Sequence, residues 1–265
     1  MLRAAGPWIL VAFALLPLTW LLPAFDLTTP LARVALFLSD SGKYGMPVLC
    51  AAALVVVVSR AGLVGRRRAV EAGALTLALV LFLGLGAIVN EDLVKPRLNS
   101  PRPNIAELSA RKLLPSSPDA FYRLATKAER SAYLRSALES VRDRLPMSPA
   151  VREHWIEETG FSFPSGHSTA AMLVATFFAC VAFAVAEGRR RGMLLALVPW
   201  AVAVCYARPT LRVHRPVDVT VGGLQGVLLG ILAYLFVHAL VGRRPAFARQ
   251  EHVPPVLKHG APTAE

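Results

Sequence analysis

The sequence predicts an all-α, polytopic membrane protein, a bundle of six transmembrane helices with a helical periplasmic insertion between the third and the fourth. Three observations predict it. Of 265 residues, 55% are hydrophobic and only 17% are charged, where a soluble domain carries about a quarter; mean hydropathy is +0.50. Apolar stretches of the length that crosses roughly 30 Å of hydrocarbon, about 20 residues, recur along the chain. Arginine runs separate them at alternate junctions: Arg66–Arg68, Arg189–Arg191 and Arg243–Arg244. A disordered chain is excluded. The formal charge of +12, from 29 Lys+Arg against 17 Asp+Glu, would suggest nucleic acid in a soluble protein, but here the apolar excess points to a bilayer.

Taken in order, the first stretch (5–25) is broken by Pro7, Pro17 and Pro23, which membrane helices tolerate when neighbours satisfy the freed carbonyls. Its alternative is a cleaved signal peptide after Arg3, but no small-x-small cleavage site precedes Asp26. An external connection, 26–43, follows, in which 31–39 is too short to span. The second and third spans cover 44–64 and 70–90, with Arg66–Arg68 between them. The long segment from about 92 to 166, with the insertion proper at 98–163, is external. Within it, 119–144 places Phe121, Leu124, Tyr133, Leu134, Ala137, Leu138 and Val141 at near-helical spacing, bounded by prolines, so one or two amphipathic helices are expected.

The fourth span (167–187) leads to Arg189–Arg191, the fifth (192–206) is short and contains Pro199, 207–217 is external, and the sixth is 218–241. The positive-inside rule then puts both termini in the cytoplasm. The expected organisation is one domain, 1–265, with 245–265 a mobile cytoplasmic tail that also carries Arg249 and Lys258. Cys50, Cys180 and Cys205 all lie in apolar runs and read as core residues.

Three clusters fall on the external face. Lys95 and Arg102, seven residues apart after the third span, are two cations able to grip a phosphate; interfacial snorkelling is the plainer reading of that pair alone. Pro164-Ser165-Gly166-His167 opens the fourth span, where unpaired helix N–H groups and a glycine make an anion site beside His167; an ordinary capped helix is its alternative. Arg208, His214 and Asp218 lie between the last two spans, with Asp218 four residues after His214. One helical turn brings that carboxylate to an imidazole nitrogen and leaves the other free as a nucleophile; a structural His–Asp pair is the alternative. Independent decoration has no reason to collect two His, three cations and an Asp on one face. Together they read as phosphoryl transfer without a metal. Lys95, Arg102 and Arg208, with Ser165 and Gly166, bind the phosphate; His214 attacks, Asp218 orients it, and His167 protonates the leaving oxygen.

With these residues the chain resembles the type 2 phosphatidic acid phosphatase (PAP2) family, which includes the vanadium haloperoxidases. The family pattern is Lys-x6-Arg-Pro, then Pro-Ser-Gly-His, then Ser-Arg-x5-His-x3-Asp, and only Ala207 departs, standing where Ser is usual. A closer resemblance to one bacterial branch covers Phe121–Arg135 and the lead Glu157–Phe163. It implies a six-helix inner-membrane enzyme with a periplasm-facing site and no metal or other cofactor. The implied substrate is a phosphorylated membrane lipid: phosphatidylglycerophosphate, phosphatidic acid, lysophosphatidic acid, diacylglycerol pyrophosphate or undecaprenyl pyrophosphate. The bilayer is then the partner, and nucleic acid is not. Two rivals are a vanadate-dependent haloperoxidase, against which six spans argue, and a non-catalytic lipid-binding or translocating bundle, which has no use for the His214–Asp218 spacing.

Overall fold

The computed structural model describes residues 2–241; the expected tail at 245–265 and the basic residues from Arg243 onward lie outside them. The described residues contain helices and no strand. Five helical runs are long and apolar enough to cross a membrane: Arg3–Leu21, Gly65–Ala110, Gly166–Val185, Gly188–Thr210 and Pro216–Val241. A sixth is available if Pro30–Ser41 and Met46–Val58, bent 61° to each other, count as one span.

This differs from the sequence expectation in three places. The first stretch is α-helical only over α1 (Leu2–Leu15), then tightens into a 3₁₀ turn, Leu16–Leu21, where Pro17 removes a backbone donor. The connection at 26–43 is mostly helix α2 (Pro30–Ser41). After it, α3 (Met46–Val58) has 13 residues, about 20 Å at 1.5 Å per residue, too short to cross alone. The break between α2 and α3 contains Gly45, where a Cβ would come 2.9 Å from the Ser41 carbonyl. The fifth span is longer than expected because α11 (Gly188–Leu195) runs into α12 (Leu197–Thr210).

The bundle is built around α10 (Gly166–Val185). From Ala171 through Ala182 every residue is buried, and a helix apolar on all sides belongs at the centre of a bundle. Its closest partner is α13 (Pro216–Val241), which presents Gly222, Gly226 and Gly230 at four-residue spacing. A Cβ at Gly222 would lie 2.5 Å from the Ser165 carbonyl oxygen, and one at Gly230 would lie 2.7 Å from that of Leu173. Small residues therefore let the two backbones touch, which fixes the start of α10 against the start of α13. Around this pair pack α1 and α4 (Gly65–Ile88), whose Ala5, Ile9, Ala12, Leu75 and Leu79 join the same core.

A second core lies at one end. Helix α5 (Lys95–Leu98) follows a π-helical turn, Val89–Val94, and then come α6 (Pro103–Ala110), α7 (Pro118–Tyr122), α8 (Lys127–Ser140) and α9 (Pro149–Glu157). The amphipathic pattern at 119–144 thus resolves into two helices. Thr126 and Glu129 form a capping box at the start of α8, a device worth about 1 kcal/mol. Phe121, Leu134, Leu138, Val151 and Trp155 pack on Ala32 and Ala35 of α2 and on Ala207, Leu211 and Val213. Trp155 is wholly buried and its Nε1 donates to the Leu211 carbonyl at 2.8 Å. The segment before α10 is therefore anchored to the loop between α12 and α13.

Candidate active site

The π turn carries the chain out of α4 so that Lys95 opens α5 with Pro96 behind it. Extra turns of this kind re-aim side chains and often mark functional positions. Lys95 is 5% exposed, and its ammonium is paired with Glu91 one turn earlier, which also reaches Lys127 at 3.3 Å. Arg102, at the cap of α6, is held on three sides. Its Nε donates to the Gly160 carbonyl (2.8 Å), its Nη1 to that of Val213 (3.1 Å), and its Nη2 meets Glu158 Oε2 at 2.7 Å. The phenol oxygen of Tyr122, stacked on Phe161 with centroids 4.7 Å apart, accepts from the Arg102 backbone N–H at 3.1 Å.

Arg102 also fixes the state of His214. Its Nη1 lies 3.1 Å from His214 Nε2, and a guanidinium has no acceptor, so Nε2 offers its lone pair and the proton resides on Nδ1. Nε2 is thus the unprotonated nitrogen of the ring. Burial first, then the charges of Arg102 and Arg208, hold the His214 pKa well below the usual imidazole range, which keeps the ring neutral.

Asp218 reaches His214 less directly than its spacing suggested. Nδ1 and the carboxylate Oδ2 are 3.6 Å apart, beyond a hydrogen bond. Ser162 lies beside both: its hydroxyl donates to Asp218 Oδ2 and is 3.5 Å from His214 Nδ1. The backbone N–H of Arg215 also donates to that carboxylate oxygen, at 2.7 Å. Asp218 is joined to the start of α10 as well, since its carbonyl accepts from the Ser165 N–H at 3.0 Å.

Ser165 caps α10, its Oγ accepting from the N–H and hydroxyl of Ser168 at 3.4 and 2.9 Å. Its backbone N–H is engaged by the Asp218 carbonyl, and its Oγ serves as an acceptor in both of these contacts. Gly166 has open space where a Cβ would stand. The Nε2 of His167 is buried and makes no hydrogen bond.

Arg208 is fully buried and faces the same centre. Its Nη2 is 3.3 Å from Glu158 Oε2, the oxygen that Arg102 contacts. Burial opposes ionisation of Glu158, but Arg102 and then Arg208 outweigh it and hold the carboxyl well below its ordinary range. A single anionic oxygen therefore bridges the two arginines.

The structure brings Arg102, Arg208, His214, Asp218 and Ser165 into one connected cluster with His167 at its edge, while Lys95 is turned to Glu91. Glu158, Ser162 and Tyr122 were not singled out from the sequence. A carboxylate just ahead of the Pro-Ser-Gly-His run, in a segment otherwise rich in cations, was the available signal for Glu158. Among the described residues no three His, Cys, Asp or Glu side chains converge as metal ligands.

A family model described as the PAP2 superfamily matches residues 74–241. The chain is 32% identical over 149 residues to phosphatidylglycerophosphatase B of Escherichia coli K12, covering 56% of this chain and 54% of that protein. It is 25% identical over 170 residues to the protein of the same name from Haemophilus influenzae, covering 59% and 65%. Against lipid A 4'-phosphatase of Bacteroides thetaiotaomicron it is 29% identical over 117 residues, covering 43% and 49%. The chain thus spans about half the length of the Escherichia coli and Bacteroides proteins it matches.

Proposed function

The chain belongs to the PAP2 superfamily, and from that premise we propose that it is an integral-membrane lipid phosphatase, hydrolysing a phosphomonoester or pyrophosphate lipid through a phosphohistidine at His214. The observation that carries the reading is the shared oxygen. Arg102 and Arg208 both contact Glu158 Oε2, and Arg102 also meets the nucleophilic nitrogen of His214. An anion bound between these arginines lies against Nε2. A non-catalytic headgroup site has no need of an imidazole held neutral with that nitrogen forward.

In the proposed reaction the lipid phosphate displaces the Glu158 carboxylate from the two arginines, and Lys95 exchanges Glu91 for a phosphate oxygen. His214 Nε2 forms a bond to phosphorus as the bond to the leaving oxygen breaks, and His167 gives that oxygen a proton. Asp218, with Ser162, receives the Nδ1 proton in a hydrogen bond and stabilises the positive ring that forms. Water then attacks phosphorus, His167 takes its proton, and the P–N bond breaks. The fixed cations neutralise the developing charge, so no metal is required.

The same reading places six spans in a bacterial inner membrane, with both termini cytoplasmic and the insertion at 98–163 facing the periplasm, in a single domain of 1–265. The positive-inside rule supports it through Arg66–Arg68 and Arg189–Arg191. Candidate substrates are phosphatidylglycerophosphate, phosphatidic acid and undecaprenyl pyrophosphate. Phosphate release by purified protein in detergent, measured on all three with His214→Ala as control, tests the proposal. Release from at least one, absent in the variant, is expected; no release from any of them, or release unaffected by the substitution, overturns it.

A further inference from the structure

We propose that Ser39 and His154 are positioning residues that clamp one end of the Arg208 guanidinium, so that its opposite edge is presented to the substrate's phosphate oxygens. This rests on the reading of Arg208 as a phosphate ligand. Neither residue belongs to the three motif clusters, and Ser39 lies outside the stretch that matches the superfamily.

The hydrogen bonds of Arg208 divide by nitrogen. Nη1 donates to the Ser39 hydroxyl and is 3.4 Å from His154 Nε2. Nε and Nη2, though buried, make no hydrogen bond; Nη2 has only the ionic approach of Glu158 at 3.3 Å. The guanidinium is a planar fork, and its Nε–Nη2 edge offers two parallel N–H groups that match two oxygens of a tetrahedral anion. The structure thus ties the end of the fork that a phosphate does not need and leaves the other edge held only by the Glu158 carboxylate, which a phosphate would replace.

The clamp has a definite protonation state. Arginine only donates, so His154 Nε2 accepts and its proton is on Nδ1. A charged ring there would set one cation against another in a buried site. Burial, with Arg208 beside it, pushes the His154 pKa down to about 3, which keeps the acceptor in place at working pH.

Both residues are delivered by packing unrelated to the motifs. Ser39 is 0% exposed near the end of α2. That end is seated on α12, where Trp200 Nε1 donates to Ser41 Oγ at 3.0 Å and a Cβ at Gly42 would come 2.8 Å from Val204 Cγ1. His154 comes from α9, next to the anchored Trp155. Ala207, which immediately precedes Arg208, has no hydroxyl to offer. A long side chain with many rotamers is thereby held in one, a cost otherwise met at each binding event.

The test uses the full-length protein in detergent and reads three quantities for each variant: KM and kcat for phosphate release from phosphatidic acid, the inhibition constant of orthovanadate, and the melting temperature with and without orthovanadate. Ser39→Ala and His154→Leu should each raise KM and weaken orthovanadate inhibition by roughly 10-fold or more, the usual loss when a hydrogen bond to a charged group is removed. His154→Gln, which keeps an acceptor, should recover most of it. With Arg208→Ala already in place, adding Ser39→Ala should leave the vanadate-induced melting shift unchanged, whereas a merely structural serine would lower stability and binding in both backgrounds. Wild-type constants in Ser39→Ala and His154→Leu, or equal losses with and without Arg208, overturn the clamp. If His154→Leu fails to fold, Ser39→Ala, which removes one oxygen, decides alone. Wild-type vanadate inhibition in Arg208→Ala would instead refute Arg208 as the phosphate ligand.

Discussion

At the scale of single residues, His214 is buried and His167 is half-buried with its Nε2 enclosed, and their surroundings differ. His214 has a tautomer set by Arg102, to whose Nη1 its Nε2 lone pair is offered; His167 has an Nε2 with no hydrogen-bond partner. His167→Ala should slow turnover most for poor leaving groups, because a leaving oxygen of low basicity needs less protonation. Rates for a lipid phosphate and an aryl phosphate compared in the same variant check this, and equal losses would remove His167 from the acid role. Glu158 permits a pH prediction. Its folded pKa is depressed, by Arg102 and Arg208 against the opposing effect of burial, so its carboxylate contributes stability above the unfolded value near 4.5. That contribution is lost as pH falls through the depressed folded value. Melting temperature followed from pH 7 down through the carboxylate range should therefore fall less steeply in Glu158→Gln than in the parent; parallel curves would refute it. The convergence of Arg102, Arg208, His214 and Asp218 was legible in the sequence because cations and imidazoles grouped at span ends are what a lipid face otherwise avoids. Glu158, Ser162, Ser39 and His154 were not, because a carboxylate, a hydroxyl or a histidine acquires its meaning only from the guanidinium it meets in space.

At the scale of elements, the cluster is assembled by two contacts. One is the seam between α10 and α13, where Gly222 lies against the Ser165 backbone and so registers the start of one helix on the other. Gly222→Ala should force the helices apart, costing about 1–3 kcal/mol of stability as overpacking does and lowering activity through the Ser165–Asp218 joint. Gly73→Ala, in α4 with nothing near its Cβ, should be neutral or stabilising by up to about 1 kcal/mol. Thermal unfolding of the two variants side by side checks the contrast. The other contact is the second core, in which Trp155 pins the 99–165 segment to the Leu211 carbonyl. The spans and the amphipathic pair at 119–144 could be read from apolar length and period. The break between α2 and α3 could not, since 31–39 is too short to register as a span and its partner α3 looked complete by hydropathy. The glycine seam was equally hidden, because four-residue glycine spacing within an apolar run marks a close approach without naming the helix approached.

At the scale of the whole molecule, a site that faces the periplasm puts the cluster and the arginine runs on opposite sides of the membrane. After replacement of Cys50, Cys180 and Cys205, a cysteine at the exposed Asp119 should react with an impermeant maleimide in intact, outer-membrane-permeabilised cells, and one at the exposed Arg67 only after lysis. The reverse labelling would turn the protein over. An expected orientation could be drawn from charge counts alone, which the labelling tests, while the choice among phosphorylated lipids could not, since selectivity resides in the shape between helices. The central claim is that His214 takes the phosphoryl group, and rapid quenching of a ³²P-labelled lipid turnover into alkali, where phosphohistidine survives and acyl phosphates do not, tests it directly. With EDTA present throughout, label is predicted on the peptide containing His214 at a level that decays at the rate of phosphate release, and none in His214→Ala. Turnover that stops with EDTA and returns with added metal, or label carried on a different residue, would contradict it.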